Sequence, residues 1–343
     1  MQQPLVSIVI LNWNGKSFLE ECLRSVFGQD GGPFEVLLVD NGSTDGSATF
    51  VRERFPSVVV IEAGTNLGFA GGSNLGVRRA KGDLVVLLNN DTVVQPAWLA
   101  ALRRAMDDPD AVLLSSRVIT EGIPDRYYER NGSVNFVGHN IMRVFSRREN
   151  LFFCTGASLA FRKNVFGEPF DPEFFLYSED VYLGLRARFM GYRPRHVDDS
   201  AVHHRGGVTS ASRPRTLITM YQERNRLLNL LLFFSFWTNV RILPIFAAHA
   251  VAKVGLALVG RRYSLWGLLR AYAWPLFHWD HIRVRRRVLR EERRVSEQDV
   301  VGWMTARVTN GESITGRALN ALSGGYCRIV GLRTIERFPA GSR

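Results

Sequence analysis

The sequence predicts an α/β protein, three α/β/α layers around a mostly parallel central sheet, with apolar helices appended at the C-terminal side. Three observations carry this. Leu84-Val85-Val86-Leu87-Leu88 is an unbroken apolar run without alternation, the pattern of a strand buried on both faces. It stops at Asn89-Asn90-Asp91, and open α/β sheets bind ligands at the carboxyl ends of their strands. Ahead of it, strand-like and helix-like segments alternate as in βαβ units.

Residues 6–11 read as the first strand. Met1-Gln2-Gln3-Pro4 has no basic start and the run leads straight into Asn12-Trp13-Asn14-Gly15, which is not the layout of a signal peptide. A helix over 17–26 follows, with Phe18, Leu19, Cys22, Leu23 and Val26 at helical spacing. A second strand over 35–39 ends at Asp40-Asn41-Gly42-Ser43-Thr44-Asp45, a helix covers 47–54, and a short strand covers 58–62. Residues 64–74 are expected as a glycine-rich loop running into a helix that ends near Ala80. Residues 107–150 show no period and are expected to cross the sheet irregularly. Order returns at 152–162 and at 170–180, before a helix over about 181–190, a short strand-like piece and the His203-His204-Arg205-Gly206-Gly207 loop.

Composition changes after Tyr221. Residues 227–240 are almost wholly apolar, but Arg226, Arg241, Lys253 and Arg261 interrupt the region too often for a charge-free span of about 18 residues. Aromatics of the kind enriched at headgroup depth, among them Phe236, Trp237, Trp266 and Trp279, adjoin an arginine run from 281 to 294. This combination reads as an interfacial anchor on an anionic membrane surface; the plainer alternative is a buried helical subdomain with a basic face. The expected division is a domain over 1–222, a membrane-associating helical region over 223–295, and a tail over 296–343 without an interpretable motif.

The net charge of +12 implies an anionic partner, and only Lys16, Lys81, Lys163 and Lys253 among the 44 basic residues are not Arg. The arginines interleave with apolar helices and form no nucleic-acid module, so a nucleic-acid partner is not expected. Three scattered cysteines make neither a disulfide framework nor a zinc pattern, which favours a reducing compartment.

Several polar clusters fall at strand ends. Asp91 can coordinate a hard cation, although a plain Asx turn would look the same. Asp40 can accept from a base or ribose. The glycine-rich segment allows close approach to a phosphate but is neither a P-loop nor a dinucleotide fingerprint, which argues against an ATPase and an ordinary NAD enzyme. Glu179 and Asp180 can supply a base or simply favour a helix start through the dipole. His203 and His204 are both candidates to join Asp91 at a cation.

Taken in order, residues 6–14, 39–45, 66–70, 87–91, 155–157 and 174–180 resemble the successive motifs of family two glycosyltransferases with a GT-A fold, in particular a bacterial rhamnosyltransferase-like branch. The resemblance implies that Leu11, Asn12, Trp13 and Asp40, with Asn41 and Ser43, hold a pyrimidine and ribose. It implies that Asn66, Gly68, Phe69 and Asn74 line the nucleotide-sugar, and that Asn89-Asn90-Asp91 is an Asp-x-Asp equivalent whose Asp91, joined by His204, binds Mg²⁺ or Mn²⁺. Asp180 matches the catalytic base, Glu179 its support, and Thr155-Gly156-Ala157 the acceptor wall. Asn89 replaces the first carboxylate of that motif, and Tyr182 stands where many relatives carry another acid. The implied protein is an inverting hexosyltransferase using a UDP- or dTDP-sugar, dTDP-rhamnose among the candidates, on a lipid-linked or cell-surface glycan. It would work in the cytoplasm, peripheral to the inner face of the membrane. A nucleotidyltransferase acting on sugar phosphates is the alternative that shares the strand-end metal logic.

Overall fold

The computed structural model describes residues 5–120, 132–141, 151–206, 213–260, 262–311 and 313–337. Parts of the 107–150 crossing, and Gly207 of the histidine loop, lie outside the described residues. Two compact units form. The first comprises Met1–Glu129, Arg148–Leu183 and Tyr192–Gly207, and the second Arg130–Arg147, Gly184–Gly191 and Val208–Arg343.

In chain order the elements are β1 (Val6–Asn12), α1 (Lys16–Phe27), β2 (Phe34–Asp40), α2 (Ser47–Arg54), β3 (Val59–Glu62), α3 (Gly68–Arg79), β4 (Leu84–Asn89), β5 (Thr92–Val94), α4 (Trp98–Ala105) and β6 (Leu113–Thr120). Then come the short strands β7 (Ser133–Val134) and β8 (Asn140–Ile141) of the second unit, β9 (Ser158–Arg162), α5 (Lys163–Phe166), α6 (Glu179–Phe189) and β10 (Arg195–His204). The main sheet has the order β3-β2-β1-β4-β9-β6-β10-β5. β9 runs antiparallel to β4 and β6, and β5 antiparallel to β10; the remaining pairings are parallel.

Leu19, Cys22 and Leu23 of α1 and Trp98, Leu99 and Leu102 of α4 bury one face with Ile8, Ile10, Val86 and Leu88. The other face carries α3. A Cβ at Gly72 would overlap Leu11, and one at Gly76 would overlap Val9. The glycines of the expected loop therefore lie largely inside a helix, where they let it seat on β1; their periodicity serves packing.

β6 departs from the irregular crossing expected of 107–150. Its Leu-Leu-Ser-Ser centre hides the strand, because Ser115 and Ser116 look like loop residues. Both are buried, and Ser116 Oγ lies 2.8 Å from Ser158 Oγ and 2.9 Å from Ser200 Oγ, while Trp98 Nε1 donates to Ser158 at 3.0 Å. A hydroxyl chain thus satisfies the polar groups of three central strands.

The second unit is helical: α7 (Arg215–Phe233), α8 (Phe236–Leu258), α9 (Leu265–Phe277), α10 (Trp279–Glu292), α11 (Glu297–Val301) and α12 (Ile314–Ile329). The apolar run expected over 227–240 breaks at Ser235, whose side chain accepts from Thr238 N and caps α8. By length and composition α8 is the one helix among the described residues able to cross a membrane. It is tied to α7 by charge. Glu223 Oε1 accepts from Lys253 Nζ at 2.6 Å, and its Oε2 accepts from Arg226 Nη2 at 2.5 Å and Tyr272 OH at 2.9 Å. All three charged side chains are at most 9% exposed. Burial would raise the Glu223 pKa, but Arg226 and Lys253 outweigh it and hold the carboxyl below its ordinary value.

Removing the Glu223 charge leaves Arg226 and Lys253 as two buried cations. Glu223→Gln is expected to cost about 3–5 kcal/mol, read by denaturant titration. Because the folded pKa is depressed, the Glu223 contribution is present above the unfolded value of 4.5 and lost as pH falls through the folded value, so the wild-type advantage shrinks in acid.

Candidate active site

The sheet register brings the polar strand ends together: Asn12 pairs with Asp40, Leu11 with Asn89, Leu88 with Ser158, and His204 with Thr92. Asn12 is fully buried. Its Nδ2 donates to Ser43 Oγ at 3.2 Å and its Oδ1 accepts from Asn90 Nδ2 at 2.6 Å. Ser43 Oγ also accepts from Asn14 N, and Thr44 N donates to Asn14 Oδ1 at 2.7 Å. These bonds clamp the turn after β2 to the turn after β1. Asp40 is 5% exposed; its Oδ2 accepts from Ser43 N, while Oδ1 is buried and has no partner among the described residues. An unsatisfied carboxylate oxygen at a strand end fits an incoming hydroxyl or imide donor.

At the end of β4, Asp91 Oδ1 lies 3.2 Å from His204 Nε2, and Asn89 Nδ2 lies 3.3 Å from the same nitrogen. One ring nitrogen cannot both accept from the amide and donate to the carboxylate. With the proton on Nδ1, the imidazole lone pair and the carboxylate converge, a donor set that fits Mg²⁺ or Mn²⁺. No cluster of three or more His, Cys, Asp or Glu occurs among the described residues, so the remaining positions of such an ion fall to ligand oxygens and water. The choice between the histidines follows from strand alternation. His203 is exposed and faces Gln95 at 3.1 Å, whereas His204 points to Asp91.

Some residues expected at the ligand are engaged as braces. Asn41 donates to Asn66 Oδ1 and Gly68 O and accepts from Leu67 N. Asn66 Oδ1 also accepts from Gly68 N, and Asn74 holds Phe170 by both its amide atoms. Gly68, at φ +72°, meets the Phe175 carbonyl, which accepts from Phe69 N at 2.5 Å and Ala70 N at 3.3 Å. Asn89 N donates to Ala157 O at 3.0 Å, and Gly156 abuts Phe69. Asn89, Thr155-Gly156-Ala157, Phe69 and the Phe175 turn are therefore one contact chain leading from Asp91 to Glu179-Asp180. Leu11 packs beside Gly72, and Trp13 is half-buried beyond it.

That turn is strained. Phe175, Tyr177 and Ser178 have φ of 57°, 72° and 62°, three non-glycine residues in the left-handed region within one short segment. Such strain concentrates at functional sites. Tyr182 is fully buried and packs on Phe174 at 5.0 Å between ring centres, which accounts for a phenol in place of an acid there. Asp180 Oδ1 accepts from Val181 N at 2.8 Å, and Glu179 Oε2 is buried without a partner among the described residues. Burial raises both carboxyl pKa values, and the Asp180 charge raises Glu179 further.

Comparison with known proteins assigns the scaffold. The profile described as glycosyl transferase family 2 matches residues 7–170. Residues 7–170 of this chain are a family 2 glycosyltransferase domain. An N-acetylglucosaminyl-diphospho-decaprenol L-rhamnosyltransferase from Mycobacterium tuberculosis is 28% identical over 240 residues, 60% of this chain and 78% of that protein. An O-antigen biosynthesis protein from Myxococcus xanthus is 29% identical over 208 residues, 55% of this chain but 16% of that protein's length. Among solved structures, a Pyrobaculum calidifontis mannosyltransferase in complex with GDP-Man and Mn²⁺ aligns with TM-score 0.51 at 19% identity, covering 85% of this chain and 87% of that one. S. aureus TarS 1-349 in complex with UDP aligns with TM-score 0.53 at 16% identity, covering 96% and 90%. The fold of the family 2 glycosyltransferase is thus GT-A-like, and the nucleotidyltransferase alternative falls away.

Sequence reading did not single out the Phe175 carbonyl as the joint between the two halves of this site, because backbone acceptors leave no residue-type signal. Nor did it find the left-handed turn, since none of its strained residues is glycine. The raised carboxyl pKa values give this family 2 glycosyltransferase a measurable cost. Between the ordinary values of 4.5 and 3.8 and the raised folded ones, the folded state binds more protons than the unfolded one, so stability falls as pH rises. The Glu179→Gln/Asp180→Asn double variant is expected to flatten that decline, with a gain of about 1–3 kcal/mol at alkaline pH, measured as Tm against pH.

Proposed function

We propose that the protein is an inverting, metal-assisted glycosyltransferase that moves a sugar, with rhamnose the first candidate, from a UDP- or dTDP-sugar to a lipid-linked or cell-surface glycan. The observation that carries this reading is the Asp91–His204 pair, 3.2 Å apart, on the same sheet edge as the unpartnered Asp40 Oδ1. The M. tuberculosis relative, named for rhamnosyl transfer to a diphospho-decaprenol acceptor, supports both the sugar and the acceptor class.

Asp40 accepts from the base or ribose, with Asn12 and Ser43 fixing its turn. Asp91 and His204, with Asn89 beside them, would hold Mg²⁺ or Mn²⁺ against the donor diphosphate. A bound divalent cation supplies charge neutralisation to the departing nucleoside diphosphate. Asp180 takes the proton of the acceptor hydroxyl as that oxygen bonds to the anomeric carbon and the bond to the diphosphate breaks, a single displacement that inverts the centre. Burial and the Asp180 charge both disfavour ionisation of Glu179, while Asp180 Oδ1 accepts from Val181 N, a bond that favours its ionised form. Thr155-Gly156-Ala157 walls the acceptor side.

Residues 1–222 would then be the catalytic domain and 223–295 a region that lies on the inner face of the cell membrane. Phe236 and Trp237 are 70% and 69% exposed, Leu276 and Phe277 79% and 81%, and α10 adds its arginines. Lying on the surface is favoured over spanning, because α8 commits Lys253 to the buried Glu223 cluster.

The test is a screen of nucleotide-sugars for release of nucleoside diphosphate, with and without Mg²⁺ or Mn²⁺. Asp91→Asn and Asp180→Asn are each expected to lower transfer by about 10²–10⁴-fold. The Asp91 loss should appear in metal-dependent donor turnover. Full transfer by Asp180→Asn would remove the base assignment, and metal-independent turnover would remove the cation.

A further inference from the structure

We propose that the arginine face of α10 is a binding site for a lipid head group carrying a multiply charged phosphoryl, a phosphomonoester or diphosphate. This rests on the membrane reading above and adds to it a discrete site in place of diffuse attraction. Arg283, Arg286, Arg287 and Arg290 recur at helical spacing on one face, and with Trp279 and the carboxylate Glu291 they line a cleft of about 530 Å³.

The cleft is preorganised and carries a strong positive excess, with four guanidinium groups against the one lining carboxylate, Glu291. Arg286 is half-buried; its Nη1 donates to the Phe234 carbonyl at 2.9 Å and also to that of Leu231, which fixes the guanidinium in place. Arg287 and Arg290 are exposed, and neither side chain has a hydrogen bond or ion pair among the described residues. Among the described residues Arg283 meets only the exposed Asp280, at 3.3 Å. Two of the nearby carboxylates are engaged elsewhere, Glu292 with Arg186 at 2.6 Å and Glu297 with Arg293, Ser235 N and Thr238, which leaves Glu291 alone in the lining against the four arginines. Burial and the Arg290 charge both weaken protonation of Arg286, and the Glu297 carboxylate offsets this only in part.

Guanidinium forks match phosphate oxygens in pairs, and several forks within one helix face suit a group with more than one negative charge better than a phosphodiester monoanion. The ligand is placed on a lipid by the flanking surface. Leu276 and Phe277 are 79% and 81% exposed directly before α10, and Trp279 is 49% exposed within the cleft, apolar area that a soluble phosphate does not need.

Binding of the full-length chain to phosphatidylcholine vesicles doped with phosphatidic acid or with phosphatidylglycerol, at matched surface charge, tests this. Phosphatidic acid should bind about tenfold more tightly, and Arg287→Ala/Arg290→Ala should erase that preference while phosphatidylglycerol binding changes by less than about threefold. Arg287→Lys/Arg290→Lys, which keeps charge and loses the forks, should also lose the preference. Donor hydrolysis should be unchanged in both variants. Equal affinity for the two lipids in the wild type, or equal loss of both in the variants, would overturn the site in favour of diffuse electrostatics. Displacement of the chain from vesicles by random-sequence DNA at equal affinity would overturn it in favour of nucleic acid. Should no vesicle bind, the membrane reading fails, and inorganic diphosphate becomes the probe: thermal stabilisation lost in Arg287→Ala/Arg290→Ala overturns the lipid source alone, and no stabilisation overturns the site.

Discussion

The hydrogen bond from Asn90 to Asn12, 2.6 Å between side chains, joins the end of β4 to the end of β1. Everything on the sheet edge is referred to it. Asn12 carries the link on to Ser43 and thereby to the Asp40 turn, and Asn89, one residue before Asn90, carries it to Ala157 and His204. Gly15 has no side chain because the Asn90 amide occupies that space. The underlying constraint is that β4 is buried along its whole apolar length, so its register is fixed and its polar end has one possible position.

Buried charge is handled in two opposite ways. Around Glu223 the carboxylate is matched by Arg226, Lys253 and Tyr272, and the result is a rigid tie between helices. At Glu179-Asp180 a buried carboxyl adjoins a half-buried one, with Glu179 Oε2 unpartnered among the described residues, an arrangement that costs stability. A protein tolerates the second arrangement where chemistry uses it, and the strained turn from Phe175 to Ser178 holds it in place.

The parallel half of the fold was legible because its strands are continuous apolar runs ending at turn residues, and α2 is found over the expected 47–54. β6 was not, since the Ser116 hydroxyl is satisfied inside the sheet only once Ser158 and Ser200 arrive from distant sequence. The glycine-rich segment misled in the other direction: its residues are helix-poor in isolation, and a close seat on Val9 and Leu11 overrides that preference. Within the site, the residue types at Asp40, Asp91 and Glu179-Asp180 could be read directly. Which amides brace the fold could not, because Asn12, Asn41, Asn66 and Asn74, whose side chains are tied to neighbouring turns, look the same in sequence as Asn89 beside His204. The Glu223 cluster was equally silent, since an acid at helical spacing from an arginine is usually a solvated pair.

The Phe175 carbonyl seated on Gly68 also sets an order of assembly. The polar strand ends at Asn12, Asp40 and Asp91 lie within the first part of the chain, while the carboxyl pair and His204 are each brought to them by a contact spanning more than a hundred residues. Closing so long a loop is slow relative to pairing neighbouring strands. A chain emerging from the ribosome therefore brings the polar ends of β1, β2 and β4 together before either the Phe175 turn or His204 can reach them.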